Sequence, residues 1–136
     1  MSRKLAREVA MKLAFARLLG GENDYEVILE QMGVDEPPRP EDVSFSDCLL
    51  EGMAKCEAEV DEWIEKHAIG WSLDRMPKVD LCILRIALYE MLYREDISHS
   101  VSINEAVELS KRFGGDKSPA FINGLLGKAS QEMTKC

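Results

Sequence analysis

Residues 78–94, KVDLCILRIALYEMLYR, decide the fold class. Val79, Leu81, Cys82, Ile83, Leu84, Ile86, Ala87, Leu88, Met91 and Leu92 leave this stretch almost no polar face. The apolar residues do not alternate as a half-buried strand requires, and a helix that is apolar all round belongs in the middle of a helical domain. Pro77 suits its first turn, where a missing N–H leaves nothing unpaired. Arg85 stands out within it. An unpaired guanidinium among these neighbours would be costly, so Arg85 is read as a structural residue, with Glu90 and Glu105 as candidate partners.

Working outward, the flanking segments are amphipathic helices. Upstream, Arg3 to Leu19 places Leu5, Ala6, Val9, Ala10, Leu13 and Ala16 on one arc and Arg3, Lys4 and Arg7 on another, with Gly20-Gly21 as the stop. Asn23 and Glu26 have capping-box spacing for a short helix from Asp24 to about Met32. Gly33 and the prolines Pro37, Pro38 and Pro40 then predict an extended linker. Ser44 or Ser46 opens a long helix to about Lys66, striped by Leu49, Leu50, Met53, Cys56, Val60, Trp63 and Ile64. A short turn is expected around Trp71 to Met76. Downstream, Ser98 to Ile103 reads as a short extended connector, and Ser102 with Glu105 as the capping box of a helix ending at Phe113 and Gly114-Gly115. Ser118 caps a last helix with Pro119 at its first position and Ile122, Leu125, Leu126, Ala129 and Met133 as its stripe. The expectation is an all-α, single-domain bundle of six or seven helices spanning residues 1–136.

With 136 residues, 46% hydrophobic and 31% charged, the chain is sized for one domain with a real core. No apolar run approaches the roughly 20 residues of a membrane span. Arg3, Lys4, Arg7 and Glu8 interrupt any apolar N-terminal stretch, which argues against a signal peptide, so a cytoplasmic protein without membrane contact is expected. Cys48, Cys56, Cys82 and Cys136 contain no C-x-x-C pair, and only His67 and His99 could assist them; neither metal nor cofactor is expected. Phosphate-loop, nucleophile-elbow and H-E-x-x-H signatures are all missing from the sequence, so no enzyme is expected.

Charge is unevenly spread. The net charge is −8, yet residues 1–19 carry five Lys/Arg and one acid, while residues 20–69 carry fifteen acids and three Lys/Arg. An acidic protein reaches nucleic acid only through a local basic patch. Arg3 and Arg7 lie one helical turn apart with Lys4 beside them, able to address neighbouring phosphates, although on these residues alone an ordinary solvated helix end is the favoured reading. Placing cations at a helix N-terminus runs against the macrodipole. A second cluster, Lys111 to Phe121, sets Phe113 and Phe121 around a tight turn bearing Lys111, Arg112 and Lys117. Unpaired bases stack on aromatic faces while cations hold the backbone; plain core packing of the two rings is the competing reading.

Several blocks resemble one family. They are Ala6-Arg7-Glu8-x-Ala10; Trp71 through Arg75; Val79-Asp80 with Ile83-Leu84-Arg85-Ile86-Ala87-Leu88-Tyr89-Glu90; Val101-x-Ile103-Asn104-Glu105-Ala106-Val107-Glu108-Leu109; and Phe121-Ile122-Asn123-Gly124-Leu125-Leu126-x-Lys128. In this order they are similar to the NusB transcription antitermination factors, nearly end to end. The resemblance implies a compact helical fold and a non-enzymatic role: binding single-stranded, boxA-like RNA together with NusE, a small-subunit ribosomal protein, in an RNA polymerase antitermination complex that supports ribosomal RNA transcription. It implies RNA contacts at Arg3, Lys4 and Arg7 and at Phe113, Lys117 and Phe121, and contacts with the protein partner at Phe15 and Asp80. Lys12 stands where the family commonly has glutamine, and Phe15 where it commonly has tyrosine. A homodimer that covers the basic helix is a further partner to consider. The competing class is a helical protein-interaction module that never touches RNA.

Overall fold

A computed structural model describes residues 3–21, 30, 31, 33, 39–70 and 72–134, apart from the side chain of Thr134. Among these residues there are six α-helices, one 3-10 turn and no strand: α1 (Arg3–Leu18), α2 (Pro40–Lys55), α3 (Glu57–His67), the 3-10 turn Leu73–Arg75, α4 (Lys78–Tyr93), α5 (His99–Phe113) and α6 (Ser118–Thr134). The expected Asp24–Met32 helix lies outside the described residues except for Glu30 and Gln31, which are helical. Pro37, Pro38, Trp71 and Cys136 also lie outside them.

α4 is the axis of the bundle. It packs against α1, α2, α3, α5 and α6, as a helix without a polar face must. Ile83, Leu84 and Leu88 on α4 meet Val9, Leu49, Val60, Ile64, Ile122 and Leu126 from the surrounding helices in one continuous core. α1 ends where Gly20 turns to φ +88°, a conformation only glycine adopts without strain.

Three boundaries differ from expectation. Pro40 does not lengthen a linker; it opens α2, after an extended Arg39, with Glu41 and Asp42 in the first turn. Proline is pre-shaped for that position and the acids complement the helix's positive end. The long helix to Lys66 is two helices, broken at Cys56 (φ −109°, ψ 15°). Its apolar stripe runs through the break, so periodicity alone reads it as continuous. Finally, Ser98 to Ile103 is no connector: Ser98 is the cap of α5, accepting from the Val101 N–H at 3.4 Å. Ser102 lies inside the helix and donates to Glu90 at 3.0 Å.

Arg85 is structural, with different partners from those expected. Its Nε and Nη2 donate to Asp61 at 2.9 Å each, and Glu57 lies 3.1 Å away. Five residues along a helix amount to about 140°, so Arg85 and Glu90 point to different neighbours of α4. Cys82 is buried, and Cys48 and Cys56 are half-buried.

Candidate nucleic-acid interface

Long side chains join α1 to α5 and to the loop before it. Near their starts, Arg3 meets Asp96 at 3.4 Å; further along, Lys12 of α1 and Arg112 of α5 both lie over the Phe113 ring, 4.9 and 4.7 Å from its centre. Lys12 thus brings the first helix to the second cluster, whereas Arg3, nine residues or half a turn away around α1, leans over Phe45 of α2. At the start of α1 is a groove of about 540 Å³ lined by Arg3, Lys4, Asp96, Ser98, Val101 and Glu105. Arg3 is half-exposed, with its guanidinium 4.7 Å over Phe45. Lys4 is exposed and joins no ion pair among the described residues. Arg94 holds the Asp96 carboxyl well below the usual carboxylate range, with Arg3 adding to the effect.

Arg7 also lines that groove, but only as its buried floor. It is 5% exposed, and its Nε and Nη2 donate to the two oxygens of Glu90 at 2.8 and 2.9 Å. Ser102 completes the cluster from α5. The guanidinium that looked available for phosphate is consumed in tying α1 to α4. One turn separates it from Arg3 as expected, but the apolar arc of α1 extends far enough to take Arg7 inside.

The two aromatics occupy neighbouring depressions around the first turn of α4. Phe113 shares one of about 450 Å³ with Met11, Lys12, Phe15, Leu19 and Val79. Phe121 and the exposed Lys117 share another, of about 550 Å³, with Met76, Pro77 and Asp80. Both rings are half-buried against the core with one side on a groove. Core packing and ring presentation thus coexist. Phe15 is also half-buried and opens onto the first depression.

Asp80, expected at the partner contact, has a structural role here. It is 3% exposed; Oδ2 accepts from the Ser118 hydroxyl at 2.9 Å, and Ser118 Oγ in turn accepts from the Gly115 N–H at 3.0 Å. Asp80 therefore pins the α5–α6 turn that carries Lys117. Burial raises its carboxyl pKa, partly offset by the Ser118 hydrogen bond. Its other oxygen has no hydrogen-bond partner.

Glu8 and Lys12, outside the expected contact residues, join Arg112 of the second cluster here. Glu8, 4% exposed, is the shared anion of Lys12, at 3.0 Å, and of Arg112. The i,i+4 spacing of Glu8 and Lys12 was a readable signal. Arg112 joins from 104 residues away, for which the sequence holds no local sign.

Among the described residues no group of three or more His, Cys, Asp or Glu side chains could hold a metal ion, and no helix is long and apolar enough to cross a membrane. The model of the NusB family matches residues 3–131. The chain belongs to the NusB family. It is 42% identical over 134 residues to the transcription antitermination protein NusB of Salinispora tropica, covering 98% of each. NusB from T. maritima superposes with a TM-score of 0.84 at 32% identity, covering 97% of this chain and 92% of that one. A chain in the crystal structure of a plectonemic RNA supercoil also gives 0.84, at 25% identity over 97% of this chain and 96% of the other.

Proposed function

We propose that this chain is a transcription antitermination factor of the cytoplasm that binds single-stranded, boxA-like RNA across the α1–α5 face. In this reading residues 1–136 act as one RNA-binding unit. NusE binds with it, and the pair joins an RNA polymerase complex on ribosomal RNA transcripts. The single observation that carries the proposal is the grouping of Lys12 and Arg112 with the Phe113 ring, beside the depression that holds Lys117 and Phe121, in an otherwise acidic chain; Arg3 and Lys4 add cations at the start of α1. Cations position a phosphate backbone without reading sequence; rings beside them hold unpaired bases and supply choice. The exposed Arg3–Asp96 contact is weak enough for a phosphate to replace Asp96. Phe15 and Leu19, lying over the buried Met11, form the apolar patch offered to the protein partner.

Titrating a boxA-like RNA and a scrambled RNA, with and without NusE, tests this. Arg3→Ala with Lys4→Ala is expected to weaken both RNAs and to flatten the salt dependence by about 0.7 in logarithmic slope per lost contact. Phe121→Ala is expected to narrow the gap between the two RNAs. Binding of neither RNA, even with NusE present, would favour the protein-interaction module instead.

A further inference from the structure

We infer that Glu8 is the positioning residue of this face: its buried carboxylate fixes Lys12 and Arg112 over Phe113 before RNA arrives. The inference rests on the RNA-binding reading and adds to it a group of the wrong charge. A carboxylate taken out of water must be paired, and Glu8, 4% exposed, meets Lys12 at 3.0 Å through Oε2 and Arg112 through Oε1. One cation comes from the same helix and the other from α5, so the carboxylate also sets the spacing between the two helices. The cluster still carries a net positive charge, since two cations share one anion. Arg112 is half-exposed and has five N–H donors, of which Glu8 uses few, so its outer edge remains open to a phosphate. Both cationic groups lie within 5 Å of the Phe113 ring centre, which places a phosphate and the base next to it against groups already held in position. Lysine and arginine are the side chains with most rotamer freedom to lose, so holding them in the free protein removes that cost from binding.

This reading predicts a sign that bulk electrostatics does not. Glu8→Gln makes the protein less acidic, and charge alone would strengthen RNA binding. Released cations instead weaken it, by about tenfold for two rotamer-rich side chains that must be ordered on binding. Glu51→Gln, an exposed position on α2, makes the same change of charge away from the face and serves as the control; it is expected to bind as tightly as the parent or slightly more so. Glu8→Asp keeps the carboxylate and is expected to recover part of the loss. A second measurement needs no variant: NMR of the Arg112 side-chain N–H groups in the parent protein should give a resolved signal without RNA that persists when RNA is added. Tight binding by Glu8→Gln equal to the Glu51→Gln control, or Arg112 signals averaged in the free protein, would overturn the inference. Failure of the parent protein to bind RNA, with Arg112 nevertheless ordered, would overturn the functional reading while leaving the clamp in place.

Discussion

Replacing Arg7 by alanine separates a structural cation from a functional one. The Arg7 and Glu90 side chains are 6% and 1% exposed, joined by two hydrogen bonds of 2.8 and 2.9 Å, with Ser102 donating to the same carboxylate at 3.0 Å. Arg7→Ala leaves Glu90 charged in the core with Ser102 as its remaining donor. Breaking a buried pair from one side costs about 3–5 kcal/mol, a large share of the roughly 5–15 kcal/mol that holds a domain folded. For a chain of this length the melting temperature should fall on the order of 10–20 °C. Calorimetry and urea unfolding read the effect. Arg7→Met with Glu90→Met removes both charges and should recover most of the loss, because the penalty comes from the orphaned carboxylate. Lys4→Ala should behave in the opposite way, within about 0.5 kcal/mol of the parent in stability but with weaker, less salt-sensitive RNA binding. If Arg7→Ala melts with the parent and loses RNA affinity, the guanidinium faces solvent and the reasoning is refuted.

Glycine substitutions on two helices should differ in sign. A Cβ at Gly52 would lie 2.1 Å from Tyr89 Cζ, whereas one at Gly124 meets nothing within 4 Å. Gly124→Ala is expected to gain about 0.5–1 kcal/mol of helix stability, and Gly52→Ala to lose about 1–3 kcal/mol by overpacking; a stabilising Gly52→Ala in urea unfolding would show that Tyr89 does not lie across α2. Asp80 gives a pH dependence whose sign follows from its raised pKa. The folded state holds the Asp80 proton to higher pH than the unfolded chain, so its contribution to stability is lost as pH rises through the window above 3.8. Asp80→Asn should therefore be more stable than the parent near neutrality, with the difference vanishing as pH falls below that window. Melting curves in which the gap widens on acidification would contradict the burial of Asp80.

The sequence discloses those features of the bundle that depend on local pattern. α4 is legible because an absence of periodicity over that length is itself a signal, and the ends of α1 and α5 because glycine follows each. Long-range pairing is not legible. Ser98 and Ser102 both suit a helix cap; Glu90, eight and twelve residues upstream, decides between them by drawing Ser102 inside. Glu90 likewise decides the fate of Arg7, 83 residues away. The break at Cys56 escapes because the apolar stripe crosses it unchanged. At the candidate site the rings and exposed lysines are visible as residue types, but the grouping of Arg112 with Lys12 depends on a tertiary contact, their sharing of Glu8 and the Phe113 ring.

These pairings change what the basic first helix can do. Of its five cations, Arg7 is buried with Glu90, Lys12 shares Glu8 with Arg112, and Arg3 faces Asp96. Arg17 lines a different groove beside Glu57 and Arg85. Neither Arg17 nor Lys4 enters an ion pair among the described residues, and of the two Lys4 is the one at the start of the helix beside Arg3. With Arg3 facing Asp96 and Lys12 and Arg112 sharing Glu8, the spare positive charge is limited to Lys4, Lys117 and the excess of that shared pair, and the acidic remainder of the chain repels a polyanion. The advantage of this surface lies in geometry: cations fixed beside half-buried rings lose little freedom when a nucleotide arrives. RNA binding here should therefore depend more on ring contacts and on the protein partner's added surface than on counterion release. The salt dependence should accordingly be shallow for the number of basic residues in view. On this argument the overall negative charge is no obstacle to RNA binding; it suppresses indiscriminate adhesion to nucleic acid, and selectivity falls to the few positions where a ring and a held cation coincide.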